Sequence, residues 1–159
     1  MNQFRLSKHP SSYYRALFEQ GIVEVRPALA AGYYQFGNGT MVKVQDRSPN
    51  SMHLSAKPEQ GFVKIDADDL EFEIYLEAAN SAVFPEVLQL AKDVLLQIVE
   101  MDEIARSRPM DFDYEEHLAY VNITRSEIEL HYFASTVNTE WGAYFVRDAN
   151  GTFQFDCLG

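Results

Sequence analysis

Glu129, His131 and Glu140 are the residues of this 159-residue chain whose types best suit acid–base chemistry. In the run EIELHYF, period-2 alternation puts Ile128, Leu130 and Tyr132 on one face. Glu127, Glu129, His131 and Phe133 fall on the other. His131 is therefore expected at solvent or at an interface rather than in the core. If the next strand, opening near Glu140, pairs with this one, two carboxylates come close, as in a glycosidase-like pair. An imidazole between them is a candidate proton carrier near neutral pH.

Other chemistries lack their residues. His9, His53, His117 and His131 are scattered, with no HExxH and no pair three or four apart, so no metal site is expected. Asp66-Ala67-Asp68-Asp69 opens like a calcium loop, but the glycine and closing Glu are missing at their offsets. No GxSxG elbow accompanies a serine, and Gly37-Asn38-Gly39 completes neither GxGxxG nor GxxxxGK, so no cofactor is expected. Cys157 is the single cysteine and has no partner for a disulfide. A reduced thiol, with no long apolar run near the amino terminus, makes the cytoplasm the expected compartment.

Charge is more informative. The chain carries 24 acids against 13 Lys plus Arg, a net charge of −11. That balance disfavours nucleic acid and anionic membranes as partners and favours basic proteins. Two stretches concentrate it. DADDLEFEIYLE carries Asp66, Asp68, Asp69, Glu71, Glu73 and Glu77 with no cation, and DFDYEE adds Asp111, Asp113, Glu115 and Glu116. Tyr75 and Tyr114 interleave with these acids, and acids with aromatic anchors suit a docking surface. The plain alternative is a solvated strand face and a solvated loop.

The elements that must position these residues read as one α+β domain over residues 1–159. A hydrophobic fraction of 47% suffices for a core. Ser11 or Ser12 is placed to cap a short helix through Gln20, stopped by Gly21. Strand-like runs follow at Ile22–Arg26, Thr40–Asp46, Met52–Ala56, Gly61–Ile65 and Leu70–Glu77, with turn material at 37–39 and 48–50. From Pro85 to about Arg106, apolar residues recur at spacings of three and four, which predicts one long helix laid on a sheet. Four further runs, Leu118–Ile123, Glu127–Phe133, Trp141–Arg147 and Thr152–Cys157, are joined by hairpin turns at 124–126 and 148–151. The expected fold is an antiparallel meander packed against that one long helix, with a short amino-terminal helix.

The carboxy-terminal stretch EIELHYFASTVNTEWGAYFVRDANGTF resembles a bacterial immunity-like protein family associated with polymorphic and contact-dependent toxins. The likeness spans residues 86 to 156 and rests on Asn138 to Trp141. It implies a protein that binds and blocks a cognate toxin without catalysis, and it transfers no site residue by position.

The leading expectation is thus a non-enzymatic immunity protein meeting a basic, nuclease-type toxin. Its partner-binding residues are taken as Asp66, Asp68, Asp69, Glu71, Glu73, Tyr75, Asp111, Asp113, Tyr114, Glu115, Glu116, Glu129, His131 and Glu140. The alternatives are an adaptor that self-assembles, as a homodimer, through an exposed strand edge, and a small hydrolase using acids with His131. Trp141 is expected to brace the strand that follows it.

Overall fold

The computed structural model describes residues 5–36, 40–44, 56–68, 70–107, 116–134 and 139–159. A turn of 3₁₀ helix at Leu6–Lys8 leads into α1 (Ser11–Gln20). There follow β1 (Glu24–Arg26), β2 (Tyr33–Gln35), β3 (Met41–Lys43), β4 (Gln60–Ala67), β5 (Leu70–Ala79) and β6 (Ala82–Val83). Next come α2 (Pro85–Leu95), α3 (Ile98–Arg106), β7 (His117–Ile123), β8 (Ile128–Ala134), β9 (Thr139–Arg147) and β10 (Phe153–Leu158).

Eight strands form one sheet in the order β1-β4-β5-β7-β8-β9-β10, with β6 added to β5, while β2 and β3 pair separately. This corrects the expected meander, because the sheet is mixed: β5 and β7 run parallel and every other named pair is antiparallel. Between β5 and β7 the chain passes through β6, α2 and α3, and this crossover returns it to the end of the sheet from which β7 can run parallel to β5.

The expected single helix over 85–106 is also corrected, to α2 and α3 broken at Leu96–Gln97. The apolar periodicity runs through the break, with Val87, Ala91, Val94, Leu95, Ile98, Met101 and Ala105 all in the core, which is why the sequence reads as one helix. At the break, the Gln97 side chain is engaged by the last hairpin. Its amide donates to the Gly151 carbonyl at 2.8 Å and accepts from the Phe153 N–H at 3.1 Å, mimicking a strand partner for the last hairpin. Helix α3 then begins without a cap of its own, and Ser11 supplies one from outside. Its Oγ accepts from Val99 N at 3.0 Å and donates to Glu100 at 2.9 Å. Ser11 is therefore the first residue of α1 rather than its cap, which is Pro10. Gly21 ends α1 at a negative φ of −74°, and its lack of a Cβ admits the Val63 side chain.

Other expectations hold. The alternation of β5 buries Leu70, Phe72, Ile74 and Leu76, and Gly151 turns the last hairpin at φ 81°. The strand expected at 52–56 and the turns at 37–39 and 48–50 fall outside the described residues, Ala56 excepted.

The helices and the 3₁₀ turn cover one sheet face, where Tyr14, Phe18, Phe72, Ile74, Leu95, Ile98, Val121 and Leu130 share one core. Inside that core lies a charge. Asp102 is fully buried and takes hydrogen bonds from Arg106 Nε at 2.9 Å, Tyr132 Oη at 2.6 Å and Leu6 N at 3.3 Å. Arg106 also donates to the Glu116 carbonyl at 3.0 Å and lies over the Tyr132 ring. Tyr132 stacks on Trp141 at 4.4 Å, and Trp141 is a core residue. Burial beside Asp102 holds the Tyr132 phenol un-ionised far above its ordinary range.

Removing one member of such a network leaves a buried charge uncompensated. Asp102→Ala is expected to lower the free energy of urea unfolding by about 3–5 kcal/mol. Tyr132→Phe, which withdraws one donor and keeps the ring, is expected to cost about 1–3 kcal/mol. Equal, near-zero effects from both would show that the network does not hold the fold.

Candidate functional site

The second sheet face carries no helix among the described residues, and the expected carboxylate–imidazole group lies on it. Strand β8 pairs with β9 so that His131 faces Gly142 and Phe133 faces Glu140. The His131 ring then meets both acids, with Nδ1 at 2.9 Å from Glu129 Oε2 and Nε2 at 3.3 Å from Glu140 Oε2. A neutral imidazole donates from only one nitrogen, so both contacts act as donor bonds only in the imidazolium form. The two acids differ in setting: the Glu129 side chain is 11% exposed and that of Glu140 is 69% exposed.

Gly142 makes the arrangement possible. A Cβ there would overlap Glu129 Oε2 and press on Glu129 Cδ at 3.1 Å, so only glycine lets the carboxylate lie across β9. Tyr144, opposite Glu129, has its phenol raised by burial and by the Glu129 charge. Tyr120 covers the other side of the imidazole, stacked at 4.5 Å with the planes 6° apart.

From Tyr120 an aromatic row continues across the face. Tyr75 meets Tyr120 at 5.3 Å, Phe62 meets Tyr75 at 5.9 Å, and the Arg26 guanidinium lies 4.1 Å over Phe62. The parallel register brings Tyr75 beside Asn122 and Glu73 beside Tyr120, joining the acids of β5 to those of β8 and β9. Tyr75 donates to Glu73, and its phenol is raised by burial and by that carboxylate. Tyr120 is pushed up to about 12, first by burial and then by the charges of Glu129 and Glu140.

The other expected site residues scatter. Asp66 and Glu71 pair across β4 and β5 at the far end of the row, where Lys64 bridges to Glu71. Asp68 sits in a turn at φ 59° and contacts His9 Nε2 at 3.0 Å, away from the row. Glu116 lies 3.8 Å from Arg106, at the buried network. Asp69, Asp111, Asp113, Tyr114 and Glu115 lie outside the described residues. Glu77, which is not among the expected contacts, holds the Arg125 side chain through two bonds of 3.0 and 3.1 Å.

Sequence reasoning missed Phe62, Tyr120, Gly142 and Tyr144. Alternation within Leu118–Ile123 and Trp141–Arg147 contains the signal for Tyr120 and Tyr144. Their neighbours become apparent only with the strand order. Among the described residues no cluster of three His, Cys, Asp or Glu suits a metal ion, and no helix is long and apolar enough to cross a membrane.

Comparison with known protein families, with characterised proteins and with solved structures gives no match for this chain.

Two outcomes follow from this geometry. Gly142→Ala is expected to displace Glu129 from His131 and to cost about 1–3 kcal/mol of stability. Loss of the coupling between the His131 ring protons and the Glu129 carboxylate, read by NMR, reports the displacement. Below pH 10 the Tyr120 phenol is protonated in the folded and the unfolded chain alike. Between 10 and about 12 only the unfolded chain ionises there, so stability falls as pH rises through that window. Ultraviolet titration should show several late phenolates, with the late absorbance reduced by one tyrosine in Tyr120→Phe; an unchanged late phase would remove Tyr120 from the assignment.

Proposed function

We propose that this chain is a non-enzymatic, cytoplasmic immunity protein that neutralises a basic bacterial toxin by seating it on the helix-free sheet face. The observation that carries this reading is the aromatic row Phe62–Tyr75–Tyr120–His131 flanked by Glu73, Glu129 and Glu140. Half-buried rings on a rigid sheet give a partner apolar contact at little entropic cost. The flanking carboxylates and the net charge of −11 steer cations toward it. Glu140, exposed and at the edge of the row, suits a first electrostatic contact. The resemblance of the carboxy-terminal half to immunity-like proteins supports a toxin as the partner.

One observation favours a second reading, proton transfer by His131, because Glu129 and Glu140 do converge on it. The geometry serves binding better. Both ring nitrogens are engaged and one ring face is covered by Tyr120, whereas a general base needs a nitrogen aimed at substrate.

Co-expression with toxin candidates encoded beside this gene, scored by growth rescue and by calorimetric binding, tests the proposal. The pair Glu73→Lys with Glu140→Lys should weaken binding at least about tenfold and flatten its salt dependence. Full protection by that variant, or no binding to any neighbouring toxin, refutes it. His131→Asn that binds as tightly yet fails to protect would favour the catalytic reading.

A further inference from the structure

The two carboxylates on His131 do not hold it equally. A ring protonated on both nitrogens donates from Nδ1 to Glu129 at 2.9 Å and from Nε2 to Glu140 at 3.3 Å. A neutral ring carries one proton, so one contact becomes a lone pair set against a carboxylate oxygen. The surroundings decide which contact is lost. Glu129 lies folded over Gly142 and nearly hidden, where water does not replace a missing donor. Glu140 is 69% exposed, and water takes the place of the imidazole there. The neutral ring therefore keeps its proton on Nδ1, and Glu140 is the acid that it lets go.

The ring itself is held whatever its charge. Tyr120 covers one of its faces, and β8 is paired on both sides, with Tyr120 and Gly142 opposite His131. The polar groups around it come from four strands. Strand β7 brings Tyr120 and Asn122, β8 brings Glu129, β9 brings Glu140 and Tyr144, and β5 brings Glu73 and Tyr75 beyond Tyr120. The phenols of Tyr120 and Tyr144 are raised, so they stay uncharged where an imidazole titrates. His117 lies further along β7, edge-on to Phe133 at 5.7 Å, with its proton affinity lowered by burial and by Arg106. Arg26 stands at the far end of the row, over Phe62. The charges nearest His131 are thus those of the carboxylates it bridges.

We propose that His131 is a proton switch for this face: its charged form clamps Glu140 to the sheet, and its neutral form frees Glu140 to meet a cationic partner. The proposal rests on the reading of the face as the seat of a basic protein and adds the condition under which that seat is open. Two effects share one sign. The imidazolium occupies Glu140, and it places a positive charge where the partner's positive charge must come. Both effects vanish when the proton leaves, so affinity for a cation rises as pH rises through the imidazole range. By linkage, a partner that engages Glu140 expels the proton.

Nitrogen and carbon NMR of the free, full-length chain between about pH 5.5 and 8 tests the switch directly. Below the His131 midpoint both ring nitrogens should carry protons, and couplings about the Glu140 χ1 bond should report one rotamer. Above it the proton should remain on Nδ1, and the Glu140 couplings should average over rotamers. A proton on Nε2 in the neutral ring, or Glu140 couplings that ignore the midpoint, overturns the proposal. Acetylated, amidated hexa-arginine, whose charge is constant over this range, then serves as the cationic probe. Wild type should bind it about fivefold or more tightly at the upper pH than at the lower. His131→Asn and Glu140→Gln should each lose most of that difference, while His117→Gln should keep it. Circular dichroism at both pH values checks each fold, and His131→Gln gives the same readout if His131→Asn does not fold. Equal binding by wild type at both pH values overturns the switch and leaves the seat standing. Binding at neither overturns the seat and the switch with it.

Discussion

A carboxylate that water does not reach must be neutralised from within, and Asp102 is neutralised by groups drawn from almost every part of the chain. Arg106 comes from the next turn of the same helix, Tyr132 from the middle of β8 and Leu6 from the amino-terminal turn. Arg106 then reaches the residue before β7, and Tyr132 stacks on Trp141 of β9. Greasy surfaces alone tolerate sliding, since hydrophobic attraction has no direction. Three directed bonds on one carboxylate do not, so this network fixes where α3 sits along the sheet. The Ser11 hydroxyl at the start of α3 and the Gln97 amide at its break add two more fixed points.

With the helices locked on one side, the other sheet face is free for a different use. Its side chains are neither core nor ordinary solvated surface. Rings meet tilted, edge to face and face to face across four strands, and Glu129 is nearly as hidden as a core residue although no helix among the described residues covers it. Holding that many carboxylates beside half-buried phenols costs solvation, which is reflected in the raised tyrosines. A surface kept in this state is already ordered, so a group that contacts it would not have to immobilise these side chains.

Local pattern in the sequence was a good guide where one residue's neighbours decide its state. Alternation in Leu70–Glu77 and Glu127–Phe133 named the correct faces, and the convergence of Glu129, His131 and Glu140 was legible from adjacent strands joined by a short connection. It failed where distant residues decide. The break at Leu96–Gln97 leaves the apolar spacing intact, and the side chain at it is held by a hairpin more than fifty residues later. The place of Tyr120 beside Tyr75 depends on a parallel pairing that no period in either strand encodes. Net charge revealed the acidity of the chain but not which strands bring Glu73, Glu129 and Glu140 onto the face of the aromatic row.

That parallel pair also sets the order in which the molecule can be made. Every other named strand contact is antiparallel, most of them hairpins closed by short turns that form within microseconds of their residues being free. The contact of β5 with β7 spans both central helices and must wait for loop closure. During synthesis from the amino end, the edge of β5 therefore stays open until Ile123 has left the ribosome, and the charged residues Glu71, Glu73 and Glu77 along that strand discourage the wrong edge from joining first.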